Sequence, residues 1–287
     1  MNFEESRLDK HIKRMYGKTI PQAMIEKALR NKDILVNGMR AKSSDKVTPS
    51  DEIYVHPSVE RSFAALFCEE PKIVKIDHSK YIDQFKDMII YEDKDLIIVN
   101  KPSGLAVQLG SKTNVALDLM AKEYHPEARL VHRIDKETSG ITILSKNIET
   151  SRYMLHMFKT KQIHKKYAAL VTGDLDINDD IITISKPLFR DKETVLVDFD
   201  NGKEAITEVQ TIKSMGKNRI LVTAIPLTGR THQIRVHLAS IDCPIVGDNK
   251  YKGLRAKHLY LHASEVRFLS PKGKKIFVTA PLPEYFK

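Results

Sequence analysis

From Met88 onward the chain is written as short apolar runs closed by charged or turn-forming residues, and this pattern constrains its fold more than any other feature. The runs are Met88 to Tyr91, Leu96 to Val99, Ile141 to Ser145, Tyr167 to Thr172, Ile206 to Ile212, Ile220 to Ile225, Leu259 to Ala263 and Ile276 to Thr279. Between the first two lies the turn Glu92-Asp93-Lys94-Asp95, and the second runs into Lys101-Pro102-Ser103-Gly104. Such hairpin grammar predicts an antiparallel or mixed sheet. Helices are expected at Asn114 to Tyr124, at Ile148 to Thr160 behind the cap Asn147, and at Thr231 to Ile241 with Ile234, Leu238 and Ile241 on the buried face. No internal repeat or low-complexity tract is present, so residues 87–287 read as one α+β domain, a mixed, mainly antiparallel sheet with flanking helices.

Residues 1–56 read as a separate small α/β module. Leu8, Ile12, Met15 and Tyr16 recur at helical spacing, and a second helix opens at Pro21 and carries Ile25, Ala28 and Leu29 on one face. Ile34-Leu35-Val36 leads into the hairpin signal Asn37-Gly38, and Glu52 to Val55 supplies a later strand. Residues 57–86 show no clear period and are expected to be a linker with some short strand or helix of its own.

With 287 residues, 41% of them apolar, the chain has ample material for a core and is too apolar for a disordered protein. No apolar run approaches the roughly 20 residues that cross a bilayer. Met1 to Tyr16 carries Glu4, Glu5 and Asp9 and no apolar stretch of secretory length, which argues against a signal or transit peptide and for the cytoplasm. Cys68 and Cys243 have no CxxC partner, so a disulfide framework and a cysteine zinc site are excluded, and both read as packing residues.

Lys and Arg number 47 against 37 Asp and Glu, a net charge of +10 that is unevenly spread. Residues 181–287 hold 18 bases against 10 acids, and residues 7–30 hold seven, Arg7, Lys10, Lys13, Arg14, Lys18, Lys27 and Arg30, against Asp9 and Glu26. Arg152 to Lys166 and Lys250 to His258 contain bases and no acids. Several separate basic stripes suit a polyanion that tracks across the surface; a solvated lysine face explains any one of them alone.

Two segments concentrate reactive side chains. Leu130 to Gly140 places His132, Arg133, Asp135, Lys136 and Glu137 between apolar strands, where a solvated hairpin loop is the plain alternative. Leu227 to His237 sets Arg230, His232, Arg235 and His237 at a helix start, and a partly buried Arg235 wants a carboxylate. His232 and His237 are five apart and do not share a helix face, and no HExxH occurs, so no metal site is expected. Ser139 lacks the GxSxG setting, and no Gly-rich nucleotide loop exists.

The run His132-Arg133-Ile134-Asp135-Lys136-Glu137-Thr138-Ser139-Gly140 resembles the HRLDxxTSG signature of the RluA-type pseudouridine synthases. Asn100 to Gly104 resembles the family's first motif, the segment around Tyr167 to Val171 its KxYxAxV strand, and Thr228 to Leu238 its TGRTHQLRVHL motif. Pro244 to Asp248 and Leu261-His262-Ala263 fit its later segments. The resemblance spans roughly residues 88–282 in the family's order, and the one departure in the catalytic motif, Ile134 for leucine, is nearly volume-neutral. Residues 1–55 resemble the small RNA-binding domain named after ribosomal small-subunit protein four, through Arg7-Leu8-Asp9-Lys10 and Val36-Asn37-Gly38.

The resemblance implies isomerisation of specific uridines in RNA, most readily large-subunit ribosomal RNA of the 23S type, by a monomer without cofactor or membrane. It implies Asp135 as the catalytic carboxylate, Arg235 as its partner, Tyr167 against the target base, and Arg133 in the gap left by a flipped nucleotide. Arg7, Lys10, Arg14, Lys27 and Asn37 on the first module, with Lys101 and Arg230 on the second domain, are the expected further RNA contacts. Two other readings remain open at this point: an RNA-binding protein on a decayed catalytic domain, and a metal-dependent nuclease.

Overall fold

The computed structural model describes residues 5–17, 20–68, 78–109, 115–175, 180–192 and 194–286. Lys18 and Asn114, and the side chain of Cys68, lie outside these. Contacts divide the chain into two units, Met1–Ile76 and Asp77–Lys287.

In the first unit β1 (Ser6–Arg7) runs into α1 (Leu8–Tyr16), followed by α2 (Gln22–Arg30), β2 (Ile34–Val36), β3 (Lys46–Val47), β4 (Ile53–Val55) and α3 (Pro57–Cys68). Leu8 and Ile12 of α1 meet Ile25, Ala28 and Leu29 of α2 over Ile34, Val47, Val55 and Phe63. The second helix thus buries the stripe its spacing prescribes, whereas in α1 Leu8 and Ile12 are buried, Tyr16 partly so, and Met15 is exposed. Asn37 and Gly38 take the positive φ values, 50° and 74°, that a tight hairpin turn needs. The turn forms and Val36 bridges Met39 across it, while the rest of β2 pairs with β4, and the Asn37 amide is spent on the fold: it donates to Asp51 and accepts from the Glu52 N–H, both at 2.8 Å.

The second unit opens with α4 (His78–Met88), β5 (Ile89–Glu92), β6 (Leu96–Lys101), α5 (Leu117–Tyr124), β7 (Arg129–Leu130), β8 (Ser139–Ser145), α6 (Ile148–Lys159) and β9 (His164–Thr172). It continues through β10 (Ile181–Ser185), β11 (Leu188–Asp191), β12 (Thr194–Val197), β13 (Ile206–Ser214), β14 (Arg219–Pro226), α7 (Gln233–Ala239), β15 (Leu261–Leu269), β16 (Lys275–Thr279) and a 3-10 turn at Glu284–Phe286. Ten strands form one mixed sheet in the order β10, β13, β14, β9, β15, β8, β6, β5, with β16 joined to β15 and β7 to β8. Every pairing in it is antiparallel except β15 with β8. The α+β expectation therefore holds, with three apolar clusters on the sheet: one with α6, one with α7, and one with α4 and α5.

Three differences from the sequence reading have physical causes. Segment 57–86 carries α3 and most of α4, whose Val59 and Phe63, and Tyr81, Phe85 and Met88, pack into their own units at helical spacing; stripes of two or three side chains are too short to stand out as a period. The helix expected from Thr231 begins at Gln233, because His232 is left-handed with φ 52°, and Ile241 lies beyond its end and is only partly buried. Strands β10 to β12 escaped notice because they are four or five residues long and mostly exposed, with one buried side chain each. The Asn147 side chain caps α6 at the Thr150 N–H, as expected, and Cys243 is buried.

Candidate active site

One rung of the sheet collects residues that the sequence scatters between Lys101 and Ala263. Lys101 on β6 faces Gly140 on β8, Gly140 faces Ala263 on β15, Ala263 faces Tyr167 on β9, and Tyr167 faces Ala224 on β14. Cross-strand neighbours share a face, so the Tyr167 ring is flanked by two alanines and stands clear between the α6 and α7 clusters, packing on both. At Gly140, φ is 105° and a Cβ would strike the Ala263 backbone. Glycine alone allows β8 and β15 to close at this rung.

The loop 131–138 enters that rung, and the fold grips it from both sides. His132 stacks on Phe158 at 4.6 Å and accepts the Ile143 N–H at 2.9 Å through Nε2. Burial, with the Lys165 charge, pushes this imidazole down to about 3, so it serves as a neutral acceptor. On the other side Lys101, fully buried, donates from Nζ to the carbonyls of Pro102 (3.0 Å), Leu105 (2.8 Å) and Lys136 (3.1 Å). Ser103 Oγ donates to the Glu137 carbonyl and the Gly104 N–H to that of Lys136. The expectation of Lys101 as an RNA contact is therefore corrected: with no exposed surface and three carbonyl partners, it pins the loop next to Asp135.

Burial pushes the Lys101 ammonium down to about 7 against the pull of Glu137 and Asp135. Lys101→Met takes the ammonium donor from the Pro102, Leu105 and Lys136 carbonyls, the last of which keeps the Gly104 N–H, and is expected to cost about 3 kcal/mol, a Tm drop of roughly 6–12 °C in a thermal melt. The linked pH dependence has a definite sign. Unfolded Lys101 holds its proton up to its ordinary 10.5 and the folded residue only to about 7, so unfolding free energy rises with pH across that interval. Denaturant titrations at pH 7 and 9 should show a smaller rise in Lys101→Met.

Asp135 sits at the open end of this construction, its side chain 27% exposed. Arg235 of α7 donates from Nη1 to its Oδ2 at 3.1 Å, and His232 Nε2 lies 3.7 Å from the same oxygen. Oδ1 has no side-chain partner among the described residues. Arg235 is itself held by Asp248, which takes Nε at 2.7 Å and Nη2 at 2.8 Å in a bidentate pair. Burial disfavours the guanidinium, but Asp248 and Asp135 outweigh it and hold Arg235 above its ordinary range. Tyr167 is pushed up by burial and by the Asp135 charge, so its phenol stays protonated.

The sequence reading asked for one carboxylate beside Arg235 and the structure supplies two; Asp248 was the residue missed. The signal was there, since a guanidinium carries five N–H donors and one carboxylate uses two. Asp248 is placed by Gly247, where a Cβ would meet the His258 carbonyl. Gln233 was passed over as well. Its buried amide accepts from Thr228 Oγ1 and the Arg230 N–H and donates to the Ile206 carbonyl and Thr207 Oγ1, fixing the loop ahead of α7 to β13. His237 is fully buried and bonds to Thr207 Oγ1 and the Lys186 carbonyl. No group of three or more His, Cys, Asp or Glu able to hold a metal converges among the described residues.

The expected RNA contacts divide. Arg133, two residues before Asp135, is exposed and makes no ion pair among the described residues. Arg230 is exposed and donates to the Glu204 carbonyl at 3.0 Å. In the first unit Lys10, Arg14 and Lys27 are exposed, whereas Arg7 is paired with Asp9 at 2.8 Å. Arg30, Arg40 and Lys42 line a groove of about 450 Å³ with Leu29 and Ala41. No helix among the described residues is long and apolar enough to cross a membrane.

The fold is similar to that of two human proteins named for an RNA pseudouridylate synthase domain. The structure of human RNA pseudouridylate synthase domain containing 4 superposes with a TM-score of 0.61 at 25% identity, covering 74% of this chain and 95% of that one. Human RNA pseudouridylate synthase domain containing 1 gives 0.59 at 26% identity, covering 67% and 82%. A family model described as RNA pseudouridylate synthase matches residues 95–240. The ribosomal large subunit pseudouridine synthase C of Rickettsia bellii is 38% identical over 98% of this chain and 96% of its own. The protein of that name from Buchnera aphidicola is 36% identical over 100% and 93%. The chain belongs to the RNA pseudouridylate synthase family and is an RNA pseudouridine synthase, an isomerase.

Proposed function

We propose that this enzyme converts specific uridines of large-subunit ribosomal RNA to pseudouridine in the cytoplasm, acting as a monomer with Asp135 as its catalytic carboxylate. The observation that carries the reading is the asymmetry of Asp135: Oδ2 is tied to Arg235 while Oδ1 is open on a partly exposed side chain. An oriented anion with one free oxygen is what attack on, or proton removal from, a ribose requires. The C1′–N1 bond breaks, the uracil turns, a C1′–C5 bond forms, the proton on C5 leaves and N1 takes one up. Atoms balance between uridine and pseudouridine, so these steps call for no cofactor.

The target nucleotide must leave its helix to reach a site at the sheet surface, and Arg133 is positioned to fill the vacated stack. Tyr167 lies against the uracil, with its protonated phenol a hydrogen-bond donor to the base while C5 loses its proton. Tyr167→Phe keeps the ring and removes the hydroxyl; turnover is expected to fall about 100-fold with RNA affinity unchanged, as single-turnover rates and filter binding would show. In the N-terminal unit, residues 1–56 serve as an RNA-binding domain whose exposed Lys10, Arg14 and Lys27 meet phosphates. The names carried by the relatives support ribosomal RNA over transfer RNA. Mapping pseudouridines in a strain deleted for the gene tests this: specific positions missing from large-subunit RNA and restored by the wild-type gene are expected, and losses confined to transfer RNA would overturn the substrate.

A further inference from the structure

The geometry points to His232 as a positioning residue for Asp135, fixed as the Nε2–H tautomer by Tyr251. The inference rests on Asp135 being the catalytic carboxylate. His232 holds φ 52° and ψ 17°, a left-handed conformation that a non-glycine residue adopts at a cost and that clusters at functional sites. The bend turns the imidazole in toward the carboxylate and leaves the side chain 15% exposed.

Hydrogen bonding decides which ring nitrogen carries the proton. Tyr251, a buried residue, has its hydroxyl oxygen 2.6 Å from His232 Nδ1, and the same oxygen accepts the Val195 N–H at 3.1 Å. The hydroxyl proton then has one acceptor in reach among the described residues, Nδ1. Nδ1 accepts, so the ring proton belongs to Nε2. Nε2 in turn faces Asp135 Oδ2 at 3.7 Å, the oxygen that Arg235 reaches at 3.1 Å.

The groups around the ring are Asp135, Asp248, Arg235, Lys250 and Tyr251. Burial holds the imidazole below its ordinary range; Asp135 and Asp248 pull it up, while Arg235 and Lys250 push it down. His232 thus faces the carboxylate as a neutral N–H across 3.7 Å, a gap longer than a hydrogen bond that has to close when RNA binds. Tyr251 serves both donors, because its ring also lies under Arg235, 5.2 Å from Cζ to centroid. One N–H bonded to Oδ2 and a second aimed at it bias the carboxylate's rotation and leave Oδ1 for the ribose, which is pre-organisation of the reacting group.

His232→Asn separates this role from a structural one. Asparagine tolerates the left-handed backbone, and its amide oxygen can take the Tyr251 proton, but it is too short to reach Asp135. The variant should fold as wild type, keep its KM and lose about tenfold in kcat. In wild-type protein, ¹⁵N NMR of labelled histidine should show the His232 proton on Nε2, and in Tyr251→Phe a mixture of tautomers. Wild-type kcat in His232→Asn, or a wild-type His232 proton on Nδ1, overturns the inference. Asp135→Asn measured in parallel keeps the two readings apart. If Asp135→Asn is inactive while His232→Asn is fully active, only the positioning role fails; if Asp135→Asn turns over normally, the catalytic carboxylate itself fails.

Discussion

Asp248→Asn is expected to be the most damaging single change to the site's architecture, costing about 3–5 kcal/mol of stability and at least tenfold in turnover. Asp248 is fully buried and meets two guanidinium N–H groups at 2.7 and 2.8 Å. Its Oδ1 also accepts the Lys250 and Tyr251 N–H groups at 3.1 and 3.2 Å. The amide preserves volume, the backbone contacts and the Nη2 bond to its oxygen but removes the charge and sets an NH2 against Arg235 Nε, which leaves a guanidinium of 7% exposure whose remaining charged partner is a carboxylate partly in solvent. Breaking one member of a buried pair is costly because the other keeps its charge without its compensation. The loss should reach chemistry too, since Arg235 would be free to rotate and Asp135 would lose its fixed partner. Chemical denaturation and single-turnover assays on one preparation check both parts; unchanged stability would mean that the pair is not what holds Arg235.

Asp135→Asn should have the opposite profile, with stability nearly intact and chemistry lost. Asp135 is more exposed than Asp248, and its removal leaves Arg235 in its bidentate pair, so the fold should lose no more than about 1 kcal/mol. The amide can neither attack C1′ nor remove a proton, and turnover is expected to fall about 10⁴-fold. RNA affinity should hold or tighten slightly, because a negative charge is removed from a surface that meets a polyanion. Equilibrium binding with labelled RNA, set beside thermal melts, distinguishes this from misfolding.

How far the sequence could be read follows from where each residue's partners lie. The strands around Ile98, Ile143 and Val222 were legible because they bury apolar side chains in nearly continuous runs, and α1 and α6 because local spacing and a cap define them. The loop around Asp135 and the one before α7 were legible as dense polar segments, and the family resemblance joined them. The roles of Lys101 and Asp248 were not. A lysine in a turn looks like surface until its ammonium is seen closing on three carbonyls, and an aspartate 13 residues beyond Arg235 looks like any loop acid until the helix turns the guanidinium onto it. Long-range pairings of this kind leave no local period or cap. The left-handed His232 was hidden for a related reason: histidine has no strong preference for that backbone region, and the Tyr251 contact that holds it lies 19 residues away.

The central claim, that an oriented Asp135 drives isomerisation of uridine, is tested most directly by release of tritium from ribosomal RNA made with uridine labelled at carbon 5. Formation of the new C1′–C5 bond expels that label, so the wild-type protein should release one tritium per modified uridine and Asp135→Asn essentially none while still binding the RNA. Equal release by the two proteins, or none from the wild type on large-subunit RNA, would contradict the account.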